Sequence, residues 1–182
     1  MTKILVAYHS GEGQAKKIAE RVATVLDGLD FDVEVHDATD APRPDGFDAV
    51  VVGDSIRLER HSRALTRWLR HHRDALASVP LALYQVSMTS ARKDAEHDAK
   101  ADALVQKLLR RTGVHPDRIA LFAGALRYSQ YGWVTTRIMR AIARREGNDA
   151  DTGADHEYTD WQAVDRFADD VAALVAAQVK TR

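Results

Sequence analysis

The stretch Lys3-Ile4-Leu5-Val6-Ala7-Tyr8-His9-Ser10-Gly11-Glu12-Gly13-Gln14-Ala15 decides how this chain is read. A short apolar run, Ile4 to Ala7, ends in a polar turn with two glycines. A helical pattern opens at once, with Ala15, Ile18, Ala19, Val22 and Leu26 at helix spacing. Strand, small-residue turn and helix start together build an anion site. Glycine lets the backbone approach a ligand, and the unpaired N–H groups of a helix start favour negative charge. The turn therefore points to a phosphate-bearing cofactor held at the beginning of an α/β fold.

Working outward, strand and helix alternate along the chain. Strands are expected at Lys3–Ala7, Asp32–His36, Ala49–Gly53, Leu81–Val86 and Ile119–Ala123. Helices are expected at Gln14–Leu26, Arg63–Ala77, Ala95–Arg111, Trp133–Arg145 and Asp160–Gln178. Four of the strands are nearly continuous apolar runs, as strands buried on both faces should be. This alternation predicts a parallel sheet with helices on both faces. The last helix carries one stripe, Trp161, Val164, Phe167, Val171, Leu174 and Val175, and Thr159 with Gln162 reads as a capping box.

Composition narrows the chemistry. The chain has 182 residues, enough for one domain with ample core, and a net charge of −1, which names no partner. Nucleic acid is not expected. The absence of cysteine removes disulfides, thiol nucleophiles and iron–sulfur clusters. The histidines, including His71-His72, show no clean metal-ligand spacing, and no metal is assigned. No secretory leader is expected, because Met1–Lys3 is too short to hold one. The longest apolar run, Val171 to Ala177, falls far below the roughly 20 residues that span a bilayer. A cytoplasmic location is expected, with any membrane contact peripheral.

Ligands of such sheets bind beyond the carboxyl ends of the strands. Three loops qualify: Tyr8–Ala15, Asp54–His61 and Ser87–Ala91. The strand order that brings them together is the flavodoxin-like one. Rival readings of the first loop are weaker. It lacks the Gly-Lys-Ser/Thr of a Walker A loop. A dinucleotide fingerprint needs a third glycine where Lys16 stands, although Asp37 sits near the position of a ribose-binding acid. A receiver domain wants an acidic pair after strand one, which Tyr8-His9-Ser10 does not supply. In the second loop, Gly53 suits a tight strand exit and Ser55 could bond a heteroaromatic edge. Ile56 or Leu58 could cover the ring's face, and Arg57 could meet an anionic flavin or an acidic substrate.

Four motifs then carry a resemblance. They are His9-Ser10-Gly11-Glu12-Gly13-Gln14, Gly53-x-Ser55-Ile56-Arg57, Ala123-Gly124-Ala125-Leu126-Arg127-Tyr128 and Tyr158-Thr159-Asp160-Trp161. Together they resemble the flavodoxin-like, menaquinone-dependent protoporphyrinogen IX dehydrogenases, over about Lys3 to Ala177. The resemblance implies a single flavodoxin-like domain, 1–182, with a five-stranded parallel sheet. It also implies FMN, oxidation of protoporphyrinogen IX to protoporphyrin IX, and a membrane quinone as electron acceptor. By the same resemblance the phosphate falls to Ser10, Gly11, Glu12, Gly13, Gln14 and Ala15, and the ring to Ser55, Ile56, Arg57, Ser87, Met88 and Thr89. Ala15 stands where a hydroxyl residue usually reaches the phosphate, and His9 replaces a small hydroxyl residue. No catalytic acid or base stands out. Two alternatives stay open: a flavodoxin-type electron carrier, and an NAD(P)H:quinone reductase.

An insertion, 126–157, separates the chain from a minimal flavodoxin. It begins Arg127-Tyr128-Ser129-Gln130-Tyr131-Gly132-Trp133 and continues as an expected helix bearing Arg137, Arg140, Arg144 and Arg145. Arg127, Tyr128, Tyr131 and Trp133 are candidate substrate contacts, since aromatic rings stack on a flat tetrapyrrole and arginines meet its propionates. Residues 131–145 could alternatively lie on a membrane surface, or simply pack on the sheet.

Overall fold

In the computed structural model, residues 1–88, 90, 95–126 and 156–179 are described, without the side chains of 126, 156 and 179. The main sheet comprises β1 (Lys3–His9), β2 (Asp32–Asp37), β3 (Ala49–Ser55), β4 (Leu81–Ser87) and β5 (Arg118–Ala123). Its order is β2-β1-β3-β4-β5, with every neighbouring pair parallel. β1 and β3 lie side by side, so the switch point falls between them. This is the flavodoxin-like order, and it removes the Rossmann reading of the first loop.

Successive strand residues point to opposite faces, and both faces are dry. Ile4, Val6, Val51, Tyr84 and Phe122 pack under α1 (Gln14–Asp27) and the C-terminal helix, α5 (Trp161–Val179). Leu5, Val50, Val52, Leu81 and Leu83 pack under α2 (Arg63–His71) and α4 (Ala95–Thr112). The expected two-sided burial is thus observed, and it fixes the strand register, since a one-residue slip would exchange the two faces.

Three local expectations change. The helix expected over Arg63–Ala77 is two, α2 and the short α3 (Arg73–Leu76), with His72 between them at φ −106° and ψ 13°. Gly53 is not at a strand exit but inside β3. A Cβ there would lie 1.8 Å from Tyr84 Cζ, so the glycine makes room for a neighbouring tyrosine. The cap of α5 is Asp160, whose Oδ1 accepts from Ala163 N at 3.0 Å. Thr159 instead donates to the Ala123 carbonyl at 2.7 Å, and so joins the end of β5 to the start of α5. The expected helix Trp133–Arg145 lies outside the described residues.

Candidate flavin site

The first loop leaves β1 after His9 and enters α1 at Gln14. Gly13 occupies the N-cap with φ 87°, a left-handed conformation that a Cβ disfavours. No side chain caps this helix start and no acidic residue lies in its first turn. The first-turn amides are therefore left for a ligand, at the positive end of the helix dipole. Ser10 Oγ is buried with no hydrogen-bond partner among the described residues. A Cβ on Gly11 would meet nothing nearer than Ser55 Oγ, at 3.9 Å, so the space above it is open. Free amides, an unpaired buried hydroxyl and a turn closed by glycine fit a phosphate monoester.

The neighbouring residues contribute backbone more than side chain. The Ala15 methyl is fully buried, and its carbonyl accepts from Tyr84 Oη at 2.8 Å. Burial and the nearby Asp54 hold the Tyr84 phenol well above its ordinary pKa, so it remains a donor. Tyr84 thus reaches over Gly53 and pins the first turn of α1, a role the sequence does not reveal. The Gln14 side chain is buried, and its Nε2 donates to Thr159 Oγ1 at 2.9 Å. What Gln14 and Ala15 can give an anion is the peptide N–H.

The second and third loops converge on the first. Ser55 Oγ accepts from Gly11 N at 3.0 Å, which ties the end of β3 to the phosphate turn and leaves the hydroxyl proton for a ligand. Ile56 N donates to the Val86 carbonyl at 2.8 Å and continues the β3–β4 ladder. Ile56 is half-buried and Arg57 is exposed. Ser87 is buried, and its hydroxyl is shared with Ser90 Oγ at 2.9 Å, so this side chain shapes the third loop. Met88 is half-buried beside Gly124, with Sδ 3.6 Å from where a Cβ would stand. Thr89, Arg127, Tyr128, Tyr131 and Trp133 lie outside the described residues.

Beyond Ile56 the chain makes a tight hairpin. Arg57 and Arg60 exchange backbone hydrogen bonds of 3.2 and 3.1 Å, with Leu58 at φ 50° and Glu59 at φ 55° between them. Such turns prefer Asn-Gly. Leu58 is 86% exposed. The hairpin is anchored from inside. Asp54 Oδ2 accepts from Ser62 N at 2.8 Å and lies 3.0 Å from His61 Nδ1, with both side chains buried.

The stems of the insertion also reach the first loop. Ala125–Leu126 pairs antiparallel with His156–Glu157, so the segment leaves and re-enters at one place. Glu157 Oε2 accepts from Lys17 Nζ at 3.1 Å, and its Oε1 accepts from Trp161 Nε1 at 2.7 Å. Thr159 and Glu157 were not assigned to the site from sequence. Thr159 had a sequence signal in the Tyr158-Thr159-Asp160-Trp161 motif, and Glu157 directly precedes that motif.

Fold and cradle together define a flavodoxin-type, flavin-binding protein. The flavodoxin domain family matches residues 5–153, and a flavin is the cofactor that this domain implies. The chain is similar to "Protoporphyrinogen IX dehydrogenase [quinone]" of Escherichia coli (strain K12), at 33% identity over 174 residues, covering 94% of this chain and 96% of the relative. The protein of the same name from Leishmania major is 32% identical over 178 residues, covering 96% of this chain and 77% of its own length. This chain belongs to that dehydrogenase family. Among solved structures, a flavodoxin from the domain Archaea superposes with a TM-score of 0.58 at 18% identity, covering 96% of this chain and 99% of the other. A flavodoxin of Streptococcus pneumonia TIGR4 gives 0.55 at 14%, covering 94% and 99%. These two likenesses concern the fold.

Proposed function

We propose that this chain holds FMN and oxidises protoporphyrinogen IX to protoporphyrin IX, passing the electrons to a quinone, specifically menaquinone. The observation that carries the reading is the convergence of three β-strand ends on one cradle, in a chain whose relatives share the dehydrogenase name over nearly its whole length. When bound, the flavin supplies the hydride and electron chemistry, and the protein supplies position and electrostatics. Ser10, Gly11 and Gly13, with the amides of Gln14 and Ala15, hold the phosphate. Ser55, Ile56 and Met88 border the ring. Arg57, exposed at the ring end, places a positive charge where a reduced ring or a substrate carboxylate would gain from it.

The insertion is the part proposed to make an enzyme of this fold. Arg127, Tyr128, Tyr131 and Trp133 are assigned to the tetrapyrrole, and the basic segment 131–145 to a peripheral contact with an anionic membrane, where the quinone resides. No described helix is long and apolar enough to cross a membrane. The test is anaerobic mixing of FMN-loaded protein with protoporphyrinogen IX and a menaquinone analogue, followed by porphyrin fluorescence. Porphyrin formed in step with quinone supports the reading. Flavin reduction by NADPH with none by the porphyrinogen overturns it.

A further inference from the structure

A cavity lined by none of the residues assigned to the flavin lies between the 57–60 hairpin, the start of α2 and α4. Its volume is about 260 Å³. Four cationic side chains line it, Arg60, Arg63, Lys107 and Arg111, against one carboxylate, Glu59. Among the described residues, none of the four cations forms an ion pair or side-chain hydrogen bond. The lining thus carries a formal excess of three positive charges, in a chain whose net charge is −1. Like charges gathered in a concavity repel one another unless an anion intervenes, and low-dielectric walls focus their field.

The wall of the cavity is built rather than incidental. His61 lines it, and the His61 side chain is only 6% exposed. Asp54, 1% exposed, holds its Nδ1, and His61 Nε2 is buried without a partner among the described residues. Asp54 also takes the Ser62 amide, and the Ser62 hydroxyl caps α2 by accepting from Leu65 N at 3.1 Å. The strand-borne carboxylate therefore fixes where Arg60 and Arg63 stand. Arg63 opens α2, at the positive end of that helix's dipole.

We infer that this pocket is an oxyanion site for a phosphate group, separate from the flavin cradle. Its volume falls just below the roughly 300–1,000 Å³ of sites for drug-sized ligands, so it takes an anionic head rather than a macrocycle. A doubly charged phosphate balances the excess better than a single carboxylate, and three arginines offer the forked donors that phosphate oxygens accept. The phosphate belongs either to a small soluble molecule or to a lipid headgroup. The inference does not depend on which substrate the flavin serves.

The test uses FMN-saturated protein, so that the cradle is filled, and pyrophosphate as the probe at constant ionic strength. Calorimetric titration should show saturable binding near one per chain. The double variant Lys107→Ala/Arg111→Ala should weaken it by about tenfold or more. The variant Arg67→Ala/Arg70→Ala, which removes two exposed charges elsewhere on α2, should bind as the parent does. Flavin loading reports that both variants are folded. No saturable binding, or equal losses in the two variants, overturns the site. Cosedimentation with phosphatidylglycerol vesicles, against phosphatidylcholine, separates the sources. Retention that pyrophosphate displaces and that Lys107→Ala/Arg111→Ala abolishes assigns the phosphate to lipid. Pyrophosphate binding without such retention assigns it to a soluble ligand.

Discussion

The loops after β1 and β3 stand side by side and are built in opposite ways. The first meets its conformational demand with glycine: Gly13 takes φ 87° at the helix start and costs the backbone little. Its useful groups are amides and the Ser10 hydroxyl, while two of its side chains turn away, Gln14 to Thr159 and Ala15 into the core. The second loop meets the same demand without glycine, at Leu58 and Glu59, and is held by a buried carboxylate beneath it. A left-handed conformation costs an ordinary residue roughly 1–2 kcal/mol. One loop is relaxed and open to an anion; the other is strained and carries charge outward.

The sharpest way to break this comparison lies beneath both loops. Gly53→Ala should be the most damaging single change, because the new methyl would overlap the Tyr84 ring, which is buried and hydrogen-bonded. Overpacking of this kind costs about 3 kcal/mol or more. Denaturant unfolding should show it, and Gly53→Ala with Tyr84→Leu should recover part of the loss. If the two changes simply add, Gly53 is not there to admit Tyr84.

Next comes the anchor of the second loop. Asp54→Ala leaves buried His61 and the Ser62 amide without their acceptor, a loss of about 2–4 kcal/mol. Asp54→Asn should lose less. Amide exchange should rise over residues 56–63 and stay unchanged over 10–15. Equal opening of both loops would mean they form one unit.

The first loop gives a smaller effect on stability and a larger one on ligand. Gly13→Ala should cost about 1 kcal/mol from its positive φ, and should weaken FMN by tenfold or more as the turn distorts. Flavin-fluorescence titration measures it. Unchanged affinity would remove Gly13 from the cradle.

How far the sequence spoke follows the same division. The phosphate turn was legible because its signal is local: an apolar run, two glycines and a helical period within a dozen residues. The sheet order was legible because both faces of each central strand are apolar. Tyr84 over Gly53, the Asp54–His61 anchor and the Thr159 bridge were not legible. Each joins residues far apart in the chain, and a glycine inside a strand looks like a glycine at its end. Thr159 was misread as a cap because a capping-box pattern starting one residue early fits nearly as well. The basic pocket was invisible for a simpler reason. Arg60 and Arg63 approach Lys107 and Arg111 only when α2 and α4 pack together.

The smallest predicted effect tests how the first loop is braced. α1 is tied to α5 by Arg21, whose Nε and Nη2 donate to Asp165 at 2.6 and 2.7 Å, and to the short strand His156–Glu157 by Lys17. The hydrogen bond from Arg21 holds the Asp165 carboxyl below its ordinary range, against a little desolvation. For Glu157, burial pushes upward, but the Lys17 and Trp161 bonds outweigh it and the net direction is down. A carboxylate with a depressed pKa in the folded state contributes stability that is present above its unfolded value, near pH 4, and is lost as pH falls below it. Asp165→Asn should therefore cost a little stability at neutral pH, converge on the parent as pH falls below 4, and so flatten the acid side of the stability profile. This brace is exposed, so added salt should shrink even that difference, as it will not for Asp54. Thermal unfolding of Asp165→Asn and its parent between pH 3 and 7, at low and high salt, measures the effect. An acid limb that keeps its slope in the variant, or a loss at neutral pH that persists undiminished at pH 3, would show that the α1–α5 contact is held by packing and not by this pair.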